Sequence, residues 1–558
     1  MLRFKLIATV IVLSLMVVSA YADEKTDKVD KLFSQWDTDK TPGAAIAIIQ
    51  NGKIIYEKGY GMANLEHDIP LSPDSVFRIA SVSKQFTAAC IARLALDKKL
   101  DLDASILKYF PELPADVYSS VTIRHLVHHT SGVRDYLTLA YLAGLEDYDY
   151  YSAREAVSML VRQKALNFNP GDEYLYSNSG YLLLALLVER VSGKTLNEYA
   201  AEKLFKPLQM NSTQFYDDHT RIVPKRADGY SASPEGYKIN MTTLDLVGDG
   251  GIFTTVRDMS KWLEALQGRG PFDQDFLDLL TYRKPLNDGK ENNYAFGLGI
   301  RTRKGKRIIA HGGAFVGFRA YMAIYPDEQF SLVCLANHGN IRLIGISGRI
   351  ADIYLFEDSE QKKKSSDSPA PKSPSFVDLS EDQLAKYSGA YRNAETEDVY
   401  KVWAEKGLLH AHGLPGYHLT FKPLSTSRFM AVSGIPGLEV EFSSDKSTGS
   451  RSFSIYRNGE QRDTFHEFKP FDPGEEFISA VSGIYYSEEL SVTYRFALHK
   501  GELKVTVADH LDPIELNPTM ENTFTSDYGT IRFSQDAGKN YSFTIDSGRV
   551  KGLRFVKK

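Results

Sequence analysis

At 558 residues the chain is too long for one hydrophobic core and, at about 100–200 residues per domain, divides into three or so. A 43% hydrophobic and 25% charged composition is that of ordinary globular protein and excludes long disorder as the dominant state. The net charge of −5, with no extended basic run, leaves no footprint for nucleic acid.

The first 22 residues read as a secretory signal. Arg3 and Lys5 form its charged start, Leu6 to Val18 its apolar run, and Ala20-Tyr21-Ala22 a small-x-small cleavage site before Asp23. The apolar run is short for a membrane span, no cysteine follows it to carry a lipid, and no other segment is suited to crossing a bilayer. The expected location is periplasmic or secreted. Cys90 and Cys334, the only cysteines, lie in apolar stretches and read as small core residues.

Residues 44–60 alternate through Ala44-Ala45-Ile46-Ala47-Ile48-Ile49, an Asn51-Gly52 turn and Ile54-Ile55-Tyr56, which predicts a β-hairpin. Helical periodicity dominates from about 81 to 265, including Tyr181–Val191 and Met259–Leu266. Strand-like runs return at Arg307–Ala310, Phe318–Tyr325 and Phe330–Ala336, followed by a helix-like Leu343–Phe356. Two strands first, three last and helices between predict an antiparallel sheet closed by both ends of one domain, residues 23–356, with a helical lobe inserted. Residues 357–378 carry Lys362-Lys363-Lys364 and a Ser/Pro-rich stretch that buries no apolar surface, and read as a solvated linker.

Beyond the linker the chain repeats. Tyr387-Ser388-Gly389-Ala390-Tyr391 matches Val481-Ser482-Gly483-Ile484-Tyr485, and Lys406-Gly407-Leu408-Leu409 matches Lys500-Gly501-Glu502-Leu503, both 94 positions apart. Phe442-Ser443-Ser444-Asp445 pairs with Phe533-Ser534-Gln535-Asp536. Short alternating strands with Gly, Asn and Asp turns predict two small antiparallel barrels, residues 379–473 and 474–558.

Chemistry concentrates at Ser81-Val82-Ser83-Lys84, which is expected to open a buried helix. A serine and a lysine three apart share one helix face, and an amine held there can take the proton from an otherwise weak hydroxyl nucleophile. Ser105-x-x-Lys108, Ser359-x-x-Lys362 and Ser443-x-x-Lys446 fit the same spacing. Context separates them. Ser81-x-x-Lys84 is followed in order by Tyr176-Ser177-Asn178 and His311-Gly312-Gly313, and the three other serines lack the neighbours that surround it.

Over roughly residues 28–356 the chain resembles the serine hydrolases of the class C β-lactamase, D-alanyl-D-alanine carboxypeptidase and D-aminopeptidase group. The resemblance rests on Phe77-Arg78-Ile79-Ala80-Ser81-Val82-Ser83-Lys84-Gln85-Phe86, His129-Thr130-Ser131-Gly132, Pro170-Gly171-Asp172-Glu173-Tyr174-Leu175-Tyr176-Ser177-Asn178, Gly250-Gly251-Ile252-Phe253-Thr254-Thr255 and His311-Gly312-Gly313-Ala314. It implies an α/β fold, a β-lactamase-like antiparallel sheet flanked by helices, and the two following barrels resemble those of the D-aminopeptidases.

It also implies roles. Ser81 attacks a carbonyl carbon and forms an acyl-enzyme. Either a neutral Lys84 or an ionised Tyr176, kept anionic by a nearby ammonium, accepts its proton. Tyr176 then protonates the leaving group, and Asn178 steers the substrate amide. The backbone N–H groups of Ser81 and Ala314 form the oxyanion hole, while Gly312 and Gly313 let substrate lie along the strand. His311 departs from the lysine of most penicillin-recognising relatives. An imidazole titrating near pH 6.5 binds a carboxylate less well as pH rises, which leans away from an efficient β-lactamase.

His125, His128 and His129 have spacing that suggests a metal, but no cysteine or carboxylate joins them, and the resemblance makes the segment a structural turn. No metal and no cofactor are expected. The expected partner is a small peptide or ester substrate of the kind cell-wall fragments supply. The expected function is a D-amino-acid-specific peptidase, aminopeptidase or carboxypeptidase. A short-chain esterase or weak β-lactamase, and a non-catalytic binder of peptides or cell-wall fragments, are the alternatives.

Overall fold

The apolar run Ala44–Gln50 (β1) is buried along almost its whole length because it is an interior strand, paired on both edges. Asn51 and Gly52, with φ of 50° and 79°, supply the positive dihedrals of a tight hairpin into Lys53–Tyr60 (β2). The remaining strands of this sheet come from far along the chain: Gly299–Arg303 (β3), Lys306–Phe315 (β4), Phe318–Tyr325 (β5) and Phe330–Ala336 (β6). Their order is β3-β4-β5-β6-β1-β2, antiparallel throughout. Both ends of the domain therefore close one sheet, as the sequence predicts, but four late strands take part rather than three. The additional strand, Gly-Ile-Arg-Thr-Arg, is too polar to register as an apolar run, and its hairpin turn is Lys304-Gly305.

In this computed structural model the described residues are 24–146, 148–356 and 375–558, apart from 415, 416, 434, 436, 437, 446, 448, 458, 509, 510 and 539. The signal segment and most of the linker lie outside them. The described residues fall into two compact units, one containing those of 24–137 and 145–356, the other those of 138–144 and 375–558.

In the first unit, one face of the sheet packs on Val29 and Phe33 near the start and on Ile346, Ile350 and Ile353 of the helix Leu343–Leu355. Helices fill the stretch between β2 and β3. Helix α1 (Lys84–Leu96) has every residue from Lys84 to Ala92 buried, the signature of a core helix rather than an amphipathic surface one. Ser81 does not lie in this helix as expected. It sits in a 3₁₀ turn, Ala80–Ser83, entered through Ala80 at φ 46°, a left-handed conformation uncommon for alanine. Helix α2 (Asn178–Ser192) ends on Gly193 at φ 71°, a left-handed cap. Cys90 and Cys334 are both buried free thiols. Among the described residues no helix is long and apolar enough to cross a membrane.

The second unit contains the two repeats. Eight strands from Gly389–Arg392 to Glu460–Phe468 form a closed barrel, and nine from Gly483–Ser487 to Val550–Lys557 form a nearly closed antiparallel sheet. The sequence repeat is a structural one. Tyr391 and Tyr485 are fully buried, and each hydroxyl donates to the carbonyl four residues back, Tyr387 and Val481, at 2.9 Å. Lys406-Gly407 and Lys500-Gly501 make equivalent left-handed turns. Phe442 and Phe533 both enter the core, and Ser443 and Ser534 each bond a serine on the next strand, Ser452 and Ser542. In the same unit the Tyr494 hydroxyl donates to the Leu142 carbonyl at 2.8 Å.

Candidate active site

Lys84 is fully buried, so its amine must be surrounded by acceptors. Nζ donates to Asn178 Oδ1 at 2.8 Å, to the Asp249 carbonyl at 2.5 Å and to Ser81 Oγ at 3.2 Å. The first two oxygens can only accept, so they fix two N–H bonds of the amine. The third contact can reverse, because a neutral amine accepts from the serine hydroxyl. Nζ also stands 4.8 Å from the centre of the Tyr176 ring. Ser81, Lys84, Tyr176 and Asn178, separated by as many as 97 positions, thus meet at one amine.

Each of these side chains is held by its element. The Asn178 N–H, at the start of α2 where helical donors lack internal partners, donates to buried Asp135 Oδ2 at 2.6 Å. His129 Nδ1 accepts from the Ser177 N–H at 3.1 Å and its ring packs on Tyr176, with centroids 4.1 Å apart. The segment around Asp249 is tied to α1 by Thr87 Oγ1 donating to the Gly248 carbonyl and to the preceding 3₁₀ turn by Ser83 Oγ accepting from the Ile252 N–H. Asp249's own carboxylate accepts from the Tyr136 hydroxyl at 3.0 Å; burial pushes its pKa up, partly offset by the Lys84 ammonium.

Strand β4 forms the opposite wall. A Cβ at Gly313 would fall 2.2 Å from the Ile79 carbonyl and 3.2 Å from the Ser81 nitrogen, so only glycine allows the strand to reach the Ser81 turn. Gly312 is different: the nearest atoms to a Cβ there are 3.7 Å away. Ala314, next along, is exposed.

His311 is placed differently from the expectation that it titrates near 6.5. It is 8% exposed, and burial, reinforced by the Lys84 ammonium, pushes its pKa down to about 4. Nδ1 lies 2.7 Å from the Gly312 carbonyl, which can only accept, so Nδ1 carries the proton. Nε2 therefore accepts from the Tyr294 hydroxyl at 2.9 Å. At neutral pH this group is an uncharged imidazole rather than a cation for a carboxylate. The positive charge at this end is instead Arg301 on β3. It lines a cavity of about 500 Å³ with Tyr174, Tyr176, Tyr294 and His311.

The three early histidines serve separate local bonds. His125 Nδ1 accepts from the Thr122 N–H in a helix cap, His128 bonds the Tyr294 carbonyl, and His129 holds Ser177. Among the described residues no group of three or more His, Cys, Asp or Glu is arranged to hold a metal. Asp135, Asp249, Tyr294 and Arg301 are not among the sequence candidates. Asp249 adjoins the Gly250-Gly251 motif and was within reach of it; Asp135, Tyr294 and Arg301 carry no local signal.

Sheet, buried Lys84 against half-buried Ser81, and glycine strand together define a β-lactamase-like protein. The chain belongs to the Beta-lactamase family, which matches residues 29–342, more than half its length. It is 30% identical over 298 residues to a D-aminopeptidase of Gluconobacter oxydans (strain 621H), covering 53% of this chain and 56% of that one. The chain thus spans about half the length of the D-aminopeptidases it matches. It is 28% identical over 440 residues to penicillin-binding protein 4* of Bacillus subtilis (strain 168), covering 74% of this chain and 92% of that one. Among solved structures, the octameric penicillin-binding protein homologue from Pyrococcus abyssi superposes with a TM-score of 0.54 at 21% identity, covering 80% of this chain and 99% of that one.

Proposed function

We propose that this protein is an exported serine hydrolase that forms an acyl-enzyme at Ser81 on amide or ester substrates, and that it is a D-amino-acid-specific peptidase, acting as an aminopeptidase or carboxypeptidase. The observation that carries this reading is the 3.2 Å contact between Lys84 Nζ and Ser81 Oγ, inside a site where Asn178 and Asp249 hold the amine. In the proposed reaction Lys84, neutral when substrate is bound, takes the Ser81 proton as Oγ adds to the carbonyl carbon. The Ser81 and Ala314 N–H groups receive the oxyanion. Tyr176 returns a proton to the leaving amine, and water then releases the acyl group. Gly312 and Gly313 leave room for the substrate backbone, and Asn178 orients its amide.

D-specificity is supported by the relatives, which include D-aminopeptidases at 30% identity. An uncharged His311 favours a peptidase or esterase over an enzyme that must grip a penicillin carboxylate. Export, to the periplasm or beyond the cell, is supported by the signal pattern in residues 1–22. The test is to treat the protein with a fluorophosphonate, locate the added mass, and assay matched D- and L-aminoacyl amides, a D-alanyl dipeptide and nitrocefin. Label on Ser81 with turnover of D-substrates alone is expected. Label elsewhere on folded protein, or preference for L-substrates, overturns the proposal.

A further inference from the structure

A second cavity, about 250 Å³, lies just beyond the C-terminal end of β4, past His311 and Phe315, and contains a cation that the proposed reaction does not use. Its lining includes Arg78, Arg226, Thr242, Phe253, Val316 and Phe318. Arg78 is 4% exposed, and its Nε has no hydrogen-bond partner. Among the described residues no carboxylate forms an ion pair with it; its guanidinium lies instead against two aromatic rings, 5.4 Å from the centre of Phe315 and 5.9 Å from that of Phe253. The Asp249 and Asp245 charges act on the guanidinium only from beyond contact, and burying an arginine with no carboxylate bonded to it is costly. The other charged side chains of the cavity are already engaged. Arg226 donates to Tyr216, Asp228 accepts from Asn64, and His219 pairs with Asp245.

Position relates this cation to the chemistry. Arg78 precedes Ser81 by three residues, so their Cα atoms are within about 11 Å. Phe315, on which the guanidinium rests, follows Ala314, the proposed oxyanion donor, and Val316 lines the cavity itself. A substrate lying along β4 has the His311 cavity at one end and the Arg78 cavity at the other. Planar, donor-rich guanidinium between apolar walls is matched by a carboxylate on a short chain.

We propose that the Arg78 cavity is a subsite for an anionic group on the substrate, so that the enzyme selects acyl donors carrying a free carboxylate a few bonds from the scissile carbonyl. This rests on the acyl-enzyme reading of Ser81 for its consequence, and the test separates the two. The probes are 4-nitrophenyl monoesters of succinic, glutaric and adipic acids beside the esters of the matching monoamides, which replace the carboxylate by a neutral group of equal size. At low salt the wild-type kcat/KM is expected to favour the acid over the amide at least ten-fold for one chain length. Arg78→Gln should abolish that ratio, Arg78→Lys should retain part of it, and both should keep turnover of the amide ester. The same pairs titrated into Ser81→Ala protein should show the same preference in Kd. Turnover with no preference at any chain length overturns the subsite. Binding preference in Ser81→Ala without wild-type turnover supports the subsite and sinks the serine reading. If both Arg78 variants melt early, the wild-type and Ser81→Ala ratios decide alone.

Discussion

The Tyr294 hydroxyl donates to His311 Nε2 at 2.9 Å, and this bond leaves the proton on Nδ1 of the residue that replaces lysine midway along β4. Burial, reinforced by the Lys84 ammonium, keeps the ring neutral and holds its pKa at about 4 instead of 6.5, while the Gly312 carbonyl facing Nδ1 sets which nitrogen carries the proton. A histidine with a depressed folded-state pKa binds its proton more readily when unfolded. Its contribution to stability is therefore complete above pH 6.5 and is lost as pH falls towards 4, amounting to roughly 3 kcal/mol. The acid limb of kcat/KM and of unfolding free energy should accordingly reach down to about pH 4. Tyr294→Phe removes the donor and should move that limb upward while costing about 1 kcal/mol in stability. A limb that stays in place would show that Tyr294 does not control the imidazole.

Gly312 and Gly313 are adjacent on β4 but meet different surroundings. Gly313→Ala forces a Cβ to within 2.2 Å of the Ile79 carbonyl, so the strand must withdraw from the Ser81 turn. Loss of the oxyanion geometry should lower kcat by about 2.7–4 kcal/mol, a hundred-fold or more. Gly312→Ala meets nothing closer than 3.7 Å and should fold normally, with any effect confined to KM. Parallel melting curves and ester kinetics for the two variants check this. Equal behaviour would mean that β4 does not set the distance to Ser81.

Much of this organisation is legible because it depends on local rules. The Asn51-Gly52 hairpin, the apolar strands and the repeat of the barrels need only alternation and turn residues. Strand β3 escapes notice because two arginines interrupt its pattern, and the 3₁₀ turn at Ser81 because it depends on Ala80 adopting φ 46°, which its sequence does not advertise. The site shows the same division. Ser81, Lys84, Tyr176, Asn178 and His311 stand in motifs. Asp135 and Tyr294 act through bonds to Asn178 and His311 from distant parts of the chain, and no spacing encodes such bonds.

The paired barrel tyrosines offer a test of the repeat. Tyr391 and Tyr485 occupy equivalent buried positions and make the same bond to the carbonyl four residues earlier. Tyr391→Phe and Tyr485→Phe should each destabilise by about 1 kcal/mol, the usual worth of one such bond. Urea unfolding followed by intrinsic fluorescence measures both. A difference much larger than that between the two would show that the positions are equivalent in sequence but not in load.

The choice between Lys84 and Tyr176 as the base turns on the leaving group. Lys84 Nζ touches Ser81 Oγ at 3.2 Å, whereas Tyr176 presents its ring to the amine at 4.8 Å. If Lys84 removes the serine proton and Tyr176 protonates the leaving group, an ester with an acidic phenol needs only the first step. Tyr176→Phe should then acylate with a nitrophenyl ester within about ten-fold of wild type, yet lose amide turnover by about 10²–10⁴. Lys84→Met should slow both reactions by at least that factor. It should also cost about 1–3 kcal/mol, because Asn178 Oδ1 and the Asp249 carbonyl lose a buried donor. Rapid-mixing kinetics of the acylation burst resolve the two variants. A burst that disappears in Tyr176→Phe with the ester would make the phenolate the base and reduce Lys84 to holding its charge in place.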